Sequence, residues 1–468
     1  MFAELPMDCD FLVIGGGSAG YAAARTAVGL GLKTVVVEGG REVGGLCILR
    51  GCMPSKALIE SANRILAIRR AGDFGVRVGE PTADLPAIIE RKRELIGEFA
   101  SYRRCQLEDG RFEFVRGFAR FASPSEVHVH LAEGGETRIR AKTILVATGS
   151  SISVPGVPGL AESGFLTSDD ILDAETLPRS VVVLGAGPVA LEMAHYMEAV
   201  GVRVTVVQRS RQFLSGTDPE LAAVVEAGFR ERGMDVYTGT RLLSVGHRNG
   251  QCVVEFEQDG VRREVVSEAV LNSLGRAPAL EGLGLEVAGL KTEKGVLATD
   301  TAQRTGVPHI FAAGDCCGRF EIVHVAIQQG EIAARNAARF LSGEWPPEKI
   351  DYRLKLYVVF TEPQVAVVGM SEAEAGENGR RISVACHPFG DHGKSMVMGE
   401  AHGFVKLIVD SGTREILGAG VVGPHAADLI HEIVVAMGFR ATAGQLAALP
   451  HYHPTLSEIW TYPAEELA

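Results

Sequence analysis

The chain has 468 residues, with 46 lysines and arginines against 58 aspartates and glutamates, for a formal charge of −12. That balance disfavours nucleic acid as the main partner, and the length allows about three domains. The residues are 46% hydrophobic and 22% charged, an ordinary soluble composition, and eight cysteines are too few for a disulfide-stapled scaffold.

No run of eighteen apolar residues occurs, so no membrane span is expected. The opening stretch, MFAELPMDCDFLVIGGG, lacks a basic segment and runs straight into glycines, unlike a secretory signal or transit peptide. A reducing cytoplasm is the expected compartment, where a close cysteine pair is more often catalytic than structural.

The first unit starts with the apolar run 10–14 (Asp-Phe-Leu-Val-Ile). Gly15, Gly17 and Gly20 follow in G-x-G-x-x-G spacing, then a helix-like stretch to about Leu30, a strand-like run over 33–37, and Glu38. This is the order of a dinucleotide-binding unit. Gly15 permits the tight turn, Gly17 lets a pyrophosphate approach, and Gly20 lets helix pack on strand. The acid closing the second strand can bind ribose hydroxyls.

Residues 44–56 read Gly-Gly-Leu-Cys-Ile-Leu-Arg-Gly-Cys-Met-Pro-Ser-Lys. Cys47 and Cys52 have four residues between them, and Pro54 sits where a helix would start, ahead of an amphipathic run over 56–70. A helix N-terminus favours a thiolate, and the spacing lets two sulfurs meet if the loop bends. The same pair could be structural or half a zinc site, but zinc needs four ligands and no second pair of finger type follows. Adjacent Cys316 and Cys317 do not suit tetrahedral ligation, so no metal site is expected.

A helical, charge-rich stretch spans about 86–109. Its basic residues, over 90–93 and at Arg103 and Arg104, read as a solvated face. Strand-like runs fill 112–146, ending in an apolar strand and turn to Ser150, and Pro155 and Pro158 mark a linker. A second glycine loop then appears: an apolar run 181–184, Gly185, Gly187 and Ala190 in G-x-G-x-x-A spacing, a helix, and a strand over 202–207. Two such loops in one chain suggest two cofactors that exchange electrons. The second ends in Gln208, Arg209, Ser210 and Arg211 instead of an acid. Arginine attracts a 2′-phosphate, which favours NADPH over NADH, although both arginines also read as surface charges.

Residues 274–278 (Leu-Gly-Arg-Ala-Pro) read as a linker, and 309–315 as a buried strand ending in Gly314 and Asp315, an acid placed to bind a cofactor hydroxyl. From 351 on, strand-like runs and then helices indicate a separate α+β domain. Near the end, His453 and Glu458 stand five residues apart. Histidine suits proton transfer to and from thiols, and the glutamate can hold one tautomer.

Together these motifs resemble the class I pyridine nucleotide-disulfide oxidoreductases over essentially the whole chain. The carriers are G-x-G-x-x-G with Glu38, G-G-x-C-x4-C-x-P-S-K, A-T-G at 147–149, G-x-G-x-x-A with Glu192, G-R-x-P, A-G-D at 313–315, and H-x-H-P-T-x-x-E. The resemblance implies an α/β fold with two Rossmann-type dinucleotide-binding domains and a C-terminal α+β dimerisation domain. The expected boundaries are 1–152 (FAD, first part), 153–277 (NAD(P)), 278–347 (FAD/central, second part) and 348–468 (dimerisation).

By the same resemblance the first site would hold FAD and the second NAD(P)H. Cys52 would face the flavin as the charge-transfer thiolate, and Cys47 would be the interchange thiol. Lys56 and Glu192 would form an ion pair by the flavin, and His453 with Glu458 the acid–base pair. The cofactor-binding set would extend to Ser18, Gly45, Cys47, Lys56, Ala119, Thr148, Gly149, Ser150, His324 and Gly275. The enzyme would be a homodimer with shared active sites, acting on a small dithiol or disulfide or on a lipoyl-carrying protein, with no membrane partner.

The branch closest in pattern is dihydrolipoamide dehydrogenase, through P-S-K, G-F-V-K at 403–406, V-G-P-H at 422–425 and H-P-T-L-S-E. Glutathione reductases carry an arginine at the position of Glu331, which argues against glutathione. Mercuric reductases look similar around Gln208–Ser210 and 314–326 but add a C-terminal cysteine pair, where this chain reads Tyr-Pro-Ala-Glu-Glu-Leu-Ala. Leu46 and Leu49 stand where the family usually has Thr and Asn, and Gln208 where dihydrolipoamide dehydrogenases usually have an acid. The leading expectation is a dihydrolipoamide dehydrogenase-like flavoenzyme. The alternatives are an NADPH-dependent reductase of a metal ion or another small disulfide, and a binding subunit of a lipoyl-dependent complex.

Overall fold

A strand that is apolar at every position needs cover on both faces. In the computed structural model, which describes residues 7–318 and 320–468, the apolar end of the strand Met7–Ile14, residues 11–14, has it. Leu12 and Ile14 point to one side with Val35, Val37, Ile144 and Val146. Phe11 and Val13 point to the other with Val36, Leu145 and the alanines of two helices, Ser18–Gly29 and Val323–Ser342. The two-residue period of the strand produces both layers.

By packing, the chain divides into two units. One holds the described residues up to Pro54, then Arg91–Ser153 and Arg276–Asp351. Its parallel sheet sets Met7–Ile14 between Thr34–Glu38 and Glu136–Val146, with Ile310–Ala312 on the far side of the latter. Glu113–Ser123 begins parallel to Thr34–Glu38, then turns its remaining length to an antiparallel meander with Glu126–Leu131 and Glu136–Val146. Residues 274–278, expected as a linker, contain a strand: Arg276–Pro278 pairs antiparallel with Ser150–Ile152. A proline can end such a pair because only two short edges meet.

The other unit holds Ser55–Glu90, Val154–Gly275 and Tyr352–Ala468. A four-stranded parallel sheet runs Ala269–Asn272, Ser180–Leu184, Arg203–Val207, Asp235–Tyr237. A three-stranded meander spans Thr240–Ser267. A five-stranded antiparallel sheet over Leu356–Gly423 packs against the helix Ala426–Gly438 around Ile430, Ile433, Trp460 and Ile459. Among the described residues no helix is long and apolar enough to cross a membrane.

Two expectations shift in detail. The helix after the cysteine motif begins at Cys52, ahead of Pro54, because a proline in the first turn forfeits no hydrogen bond. Cys47 has its own helical turn, Leu46–Leu49. In the helix Leu85–Leu107, Arg104 is exposed, but Lys92 is buried and Arg103 is half-buried. The solvated-face reading fails for those two because helical spacing turns them from the polar stripe toward the protein.

Lys406 is buried in the strand Phe404–Asp410. Asp218, Glu220 and Glu372 lie close enough to share one cation, and the Lys406 ammonium is that cation, 2.8 Å from Asp218 Oδ2 and in contact with both glutamates. Burial alone would discharge the amine, but its three carboxylate bonds outweigh that and push its pKa up. The raised value means the stabilisation is full below the unfolded-state value of about 10.4 and is lost as pH rises through the folded-state value. Lys406→Met should lower unfolding free energy by about 3 kcal/mol in denaturant titrations at neutral pH, and the variant should lack the alkaline decline of the wild type.

Candidate active site

The first glycine loop leads into the helix Ser18–Gly29 with Gly17 at its N-cap. Gly15 has φ +108°, and a Cβ there would lie against the Ala147 carbonyl. A Cβ on Gly20 would strike the Gly15 carbonyl, so helix and strand touch through glycine. Gly45, at φ +75°, would put a Cβ 2.7 Å from Gly17 Cα, which brings the cysteine motif onto the same loop. Glu38 accepts from the Gly16 amide at 2.8 Å and the Gly40 amide at 2.5 Å. Each oxygen keeps a lone pair for a hydroxyl donor.

The strand end after residue 146 supplies a second wall. Thr148 Oγ1 is buried with no hydrogen-bond partner, and an orphan hydroxyl there suits a bound polar group. Ser150 Oγ donates to Asp315 Oδ2 at 2.6 Å and accepts from Arg276 Nε at 2.8 Å. Arg276 also donates to the Ser150 carbonyl at 2.9 Å, so the arginine of G-R-x-P braces the serine that holds the acid. Gly314 donates to the buried Gln329 side chain at 2.8 Å. These residues fit FAD: a glycine cradle for pyrophosphate, an acid for ribose, and an unmet hydroxyl. Ala119 packs against the core of the sheet, and His324 lies in the first turn of the helix Val323–Ser342.

Cys47 and Cys52 are both half-buried. Cys52 opens its helix, where the dipole favours a thiolate. Leu46 is 37% exposed and reaches toward Gly149, while Leu49 sits over Gly44. Two isobutyl groups therefore line the motif. The half-buried Arg103 guanidinium lies 4.1 Å over the Tyr21 ring and within electrostatic reach of Cys47. Burial pulls its pKa down, and Tyr21 and Cys47 oppose that.

The helix Cys52–Arg69 is tied to the helix Pro188–Ala199 by three polar pairs. Lys56 Nζ meets both Glu192 oxygens at 2.7 and 2.9 Å, and the Phe360 amide donates to Glu192 Oε1 at 3.1 Å. Asn63 Oδ1 lies 2.9 Å from His195 Nε2. Arg69 bonds Glu198 at 3.1 Å and the Ala199 carbonyl at 2.9 Å. Arg232 faces His195 Nδ1 at 2.7 Å, so Nδ1 accepts and Nε2–H donates to Asn63. Burial, then Arg232, hold the His195 pKa well below the ordinary histidine range.

At the second glycine loop, Gly185 has φ +104° and a Cβ there would stand 2.6 Å from the Ser273 carbonyl. Gly187 caps the helix, with Pro188 in its first turn and Ala190 buried. Ser273 Oγ is buried without a hydrogen-bond partner. Gln208 is half-buried, Arg209 and Arg211 are exposed, and Gly275 has φ +118°. The loop fits a nucleotide pyrophosphate.

His453 Nδ1 faces both oxygens of Glu458, at 3.2 and 3.1 Å. The His453 side chain is 79% exposed, whereas Glu458 is buried in the turn Ser457–Trp460. The Trp460 indole, fully buried, donates to the Leu429 carbonyl at 3.0 Å and anchors that turn. The carboxylate fixes the Nδ1–H tautomer and leaves Nε2 outward as a base.

Residues 9–330 match the family model for pyridine nucleotide-disulphide oxidoreductase, and residues 356–464 match the dimerisation domain of that family. The chain belongs to the pyridine nucleotide-disulphide oxidoreductases. It is 33% identical over 461 residues to the dihydrolipoyl dehydrogenase of Bacillus subtilis, covering 96% of each. With that of Chlamydia muridarum it shares 36% over 460 residues, or 97% of this chain and 96% of the relative. Among solved structures it resembles LpdA from Mycobacterium tuberculosis (TM-score 0.87, 30% identity, 98% and 100% coverage). It also resembles the Cu(II) complex of the flavoprotein disulfide reductase RclA from Escherichia coli (TM-score 0.85, 25% identity, 98% and 100% coverage).

This pyridine nucleotide-disulphide oxidoreductase thus belongs to a family that uses FAD and NAD(P)H, and its dimerisation domain implies a homodimer. Sequence reasoning found the pairs Lys56–Glu192 and His453–Glu458 through motifs. It missed Asn63 and His195, which belong to no motif and meet partners far along the chain, and it read Arg103, which lies over Tyr21, as solvated. Glu38→Ala should weaken FAD retention about tenfold, read as flavin fluorescence released on dilution, because two amides lose a charged acceptor.

Proposed function

We propose that the protein moves electrons between NAD(P)(H) and a small dithiol or disulfide, as a dihydrolipoamide dehydrogenase does. The observation that carries this reading is one chain holding a cysteine pair at a helix start and a tautomer-fixed histidine. Cys47 acts as the interchange thiol and Cys52 as its partner. The thiolate of Cys47 attacks one sulfur of the substrate disulfide; a Cys47–substrate bond forms as the substrate S–S bond breaks. His453 Nε2, having taken the Cys47 thiol proton, gives it to the leaving thiolate. Cys52 then attacks Cys47, its own thiol proton leaving on the second substrate sulfur, and closes the Cys47–Cys52 disulfide.

FAD, when bound, carries two electrons between nicotinamide and that disulfide. Lys56, held by Glu192, gives its flank a fixed positive charge. Run in reverse, the same groups oxidise a dithiol. The exposure of His453, beside Tyr452 at 83%, supports a site completed by a second subunit. The FAD part would comprise 1–152 and 278–347, the NAD(P) part 153–277, and the dimerisation part 348–468.

A second reading is an NADPH-dependent reductase of a metal ion or another small disulfide. Exposed Arg209 and Arg211 after Gln208 favour a 2′-phosphate, and RclA, a relative by structure, is known as a Cu(II) complex. A panel of lipoamide, glutathione disulfide, Cu(II) and Hg(II), each with NADH and NADPH, separates the two. Lipoamide should turn over fastest; a metal ion outrunning every disulfide would replace the first reading with the second.

Cys47→Ser should retain FAD but lose at least about 10³-fold of disulfide turnover, as expected when a nucleophile is removed. Undiminished lipoamide turnover would rule out this mechanism. Replacing Arg209 and Arg211 together by Ala should raise KM for NADPH about tenfold and leave NADH little changed.

A further inference from the structure

Behind Glu458 stands a second imidazole. His392 follows the turn Phe389–Asp391 and precedes the short helix Gly393–Val397. Its side chain and that of Ser395 are fully buried. His392 Nδ1 lies 2.7 Å from Ser395 Oγ, and Nε2 lies 3.4 Å from Glu458 Oε1. At that separation Nε2 makes no hydrogen bond, although it is buried. A movement of about half an ångström would make one.

The chemistry of the neighbours assigns the protons. An ionised carboxylate only accepts, so the proton facing it belongs on His392 Nε2. Nδ1 must then accept, and the Ser395 hydroxyl donates to it. His453 presents Nδ1–H to the same carboxylate from the exposed side. One carboxylate therefore lies between two imidazole N–H groups, one buried and one open.

We propose that His392 is a positioning residue for the His453–Glu458 pair. By closing the 3.4 Å gap, its Nε2–H bonds Glu458 Oε1 and shares the carboxylate's charge, so Glu458 orients His453 without over-stabilising its imidazolium. This rests on the function proposed above, in which His453 moves the proton. The other groups facing His392 are His387 and Tyr462. Tyr462 stacks on His387 at 3.9 Å and sits edge-on to His392 at 6.2 Å. Burial holds the His392 pKa down, Glu458 opposes that, and His387 and His453 add to the lowering, so the ring serves as a neutral donor.

The test compares His392→Leu, His392→Gln and Ser395→Ala in the pH profile of kcat/KM, with lipoamide or, if faster, glutathione disulfide. Leu removes the N–H, whereas the Gln amide can reach the place of Nε2. With the donor gone, the whole carboxylate charge favours the His453 imidazolium, so the midpoint at which His453 loses its Nε2 proton moves up. His392→Leu should shift that midpoint by about half a unit to one unit and lower turnover about tenfold, the worth of a hydrogen bond to a charged group. His392→Gln should stay within about threefold of wild type. Ser395→Ala, which frees the tautomer, should shift the midpoint the same way.

Flavin content and thermal midpoint report folding; should His392→Leu not fold, His392→Gln and Ser395→Ala decide. An unmoved profile in His392→Leu, equal shifts in Leu and Gln, or a wild-type profile in Ser395→Ala would overturn the assignment. His453→Gln is measured in parallel. If it keeps turnover, the proposed function itself fails; if it is inactive while the His392 profile is unmoved, only this inference fails.

Discussion

The polar seam between the helix Cys52–Arg69 and the helix Pro188–Ala199 is the interaction on which the candidate site depends. Lys56, Asn63 and Arg69 lie along one helix, and Glu192, His195 and Glu198 answer them from the other. Each member is costly to remove from water alone. In pairs they are satisfied, and a half-satisfied seam would be worse than an apolar one. The seam holds the helix that Cys52 opens against the helix that Gly187 caps.

The remaining parts follow from separate demands of thiol–disulfide exchange. A sulfur must ionise, and a helix N-terminus meets that demand at Cys52. A leaving sulfur must be protonated, and under the proposed function His453 would meet that demand, with Nδ1 facing Glu458 and the side chain exposed. A nucleotide must lie close to backbone, and Gly15, Gly20 and Gly185 clear the space. Leu46 and Leu49 are the chain's own variation on this plan. They put apolar groups beside Gly149 and Gly44.

Legibility in the sequence tracked locality. Strand, glycine loop, helix and acid occur within about thirty residues, so both dinucleotide units could be read directly. The apolar run over 10–14 is likewise local, but which of its residues face which layer is set by the packing of the structure. Arg103 was misread because helical charge runs usually face water, whereas this one lies over Tyr21. The strand Arg276–Pro278 was hidden because a Gly-Arg-Ala-Pro run has turn composition and pairs with a segment more than a hundred residues earlier. His195 and His392 could not be found, since a lone histidine carries no period and its partners are set by tertiary packing.

The central claim is that Cys47 and Cys52 store electrons alongside the flavin. Anaerobic titration of the FAD-loaded protein with dithionite, followed by absorbance, tests it most directly. A flavin and a redox disulfide together should take up about four electrons per flavin before reduction is complete. Completion at about two electrons would mean that the flavin alone is reduced, and would contradict the account.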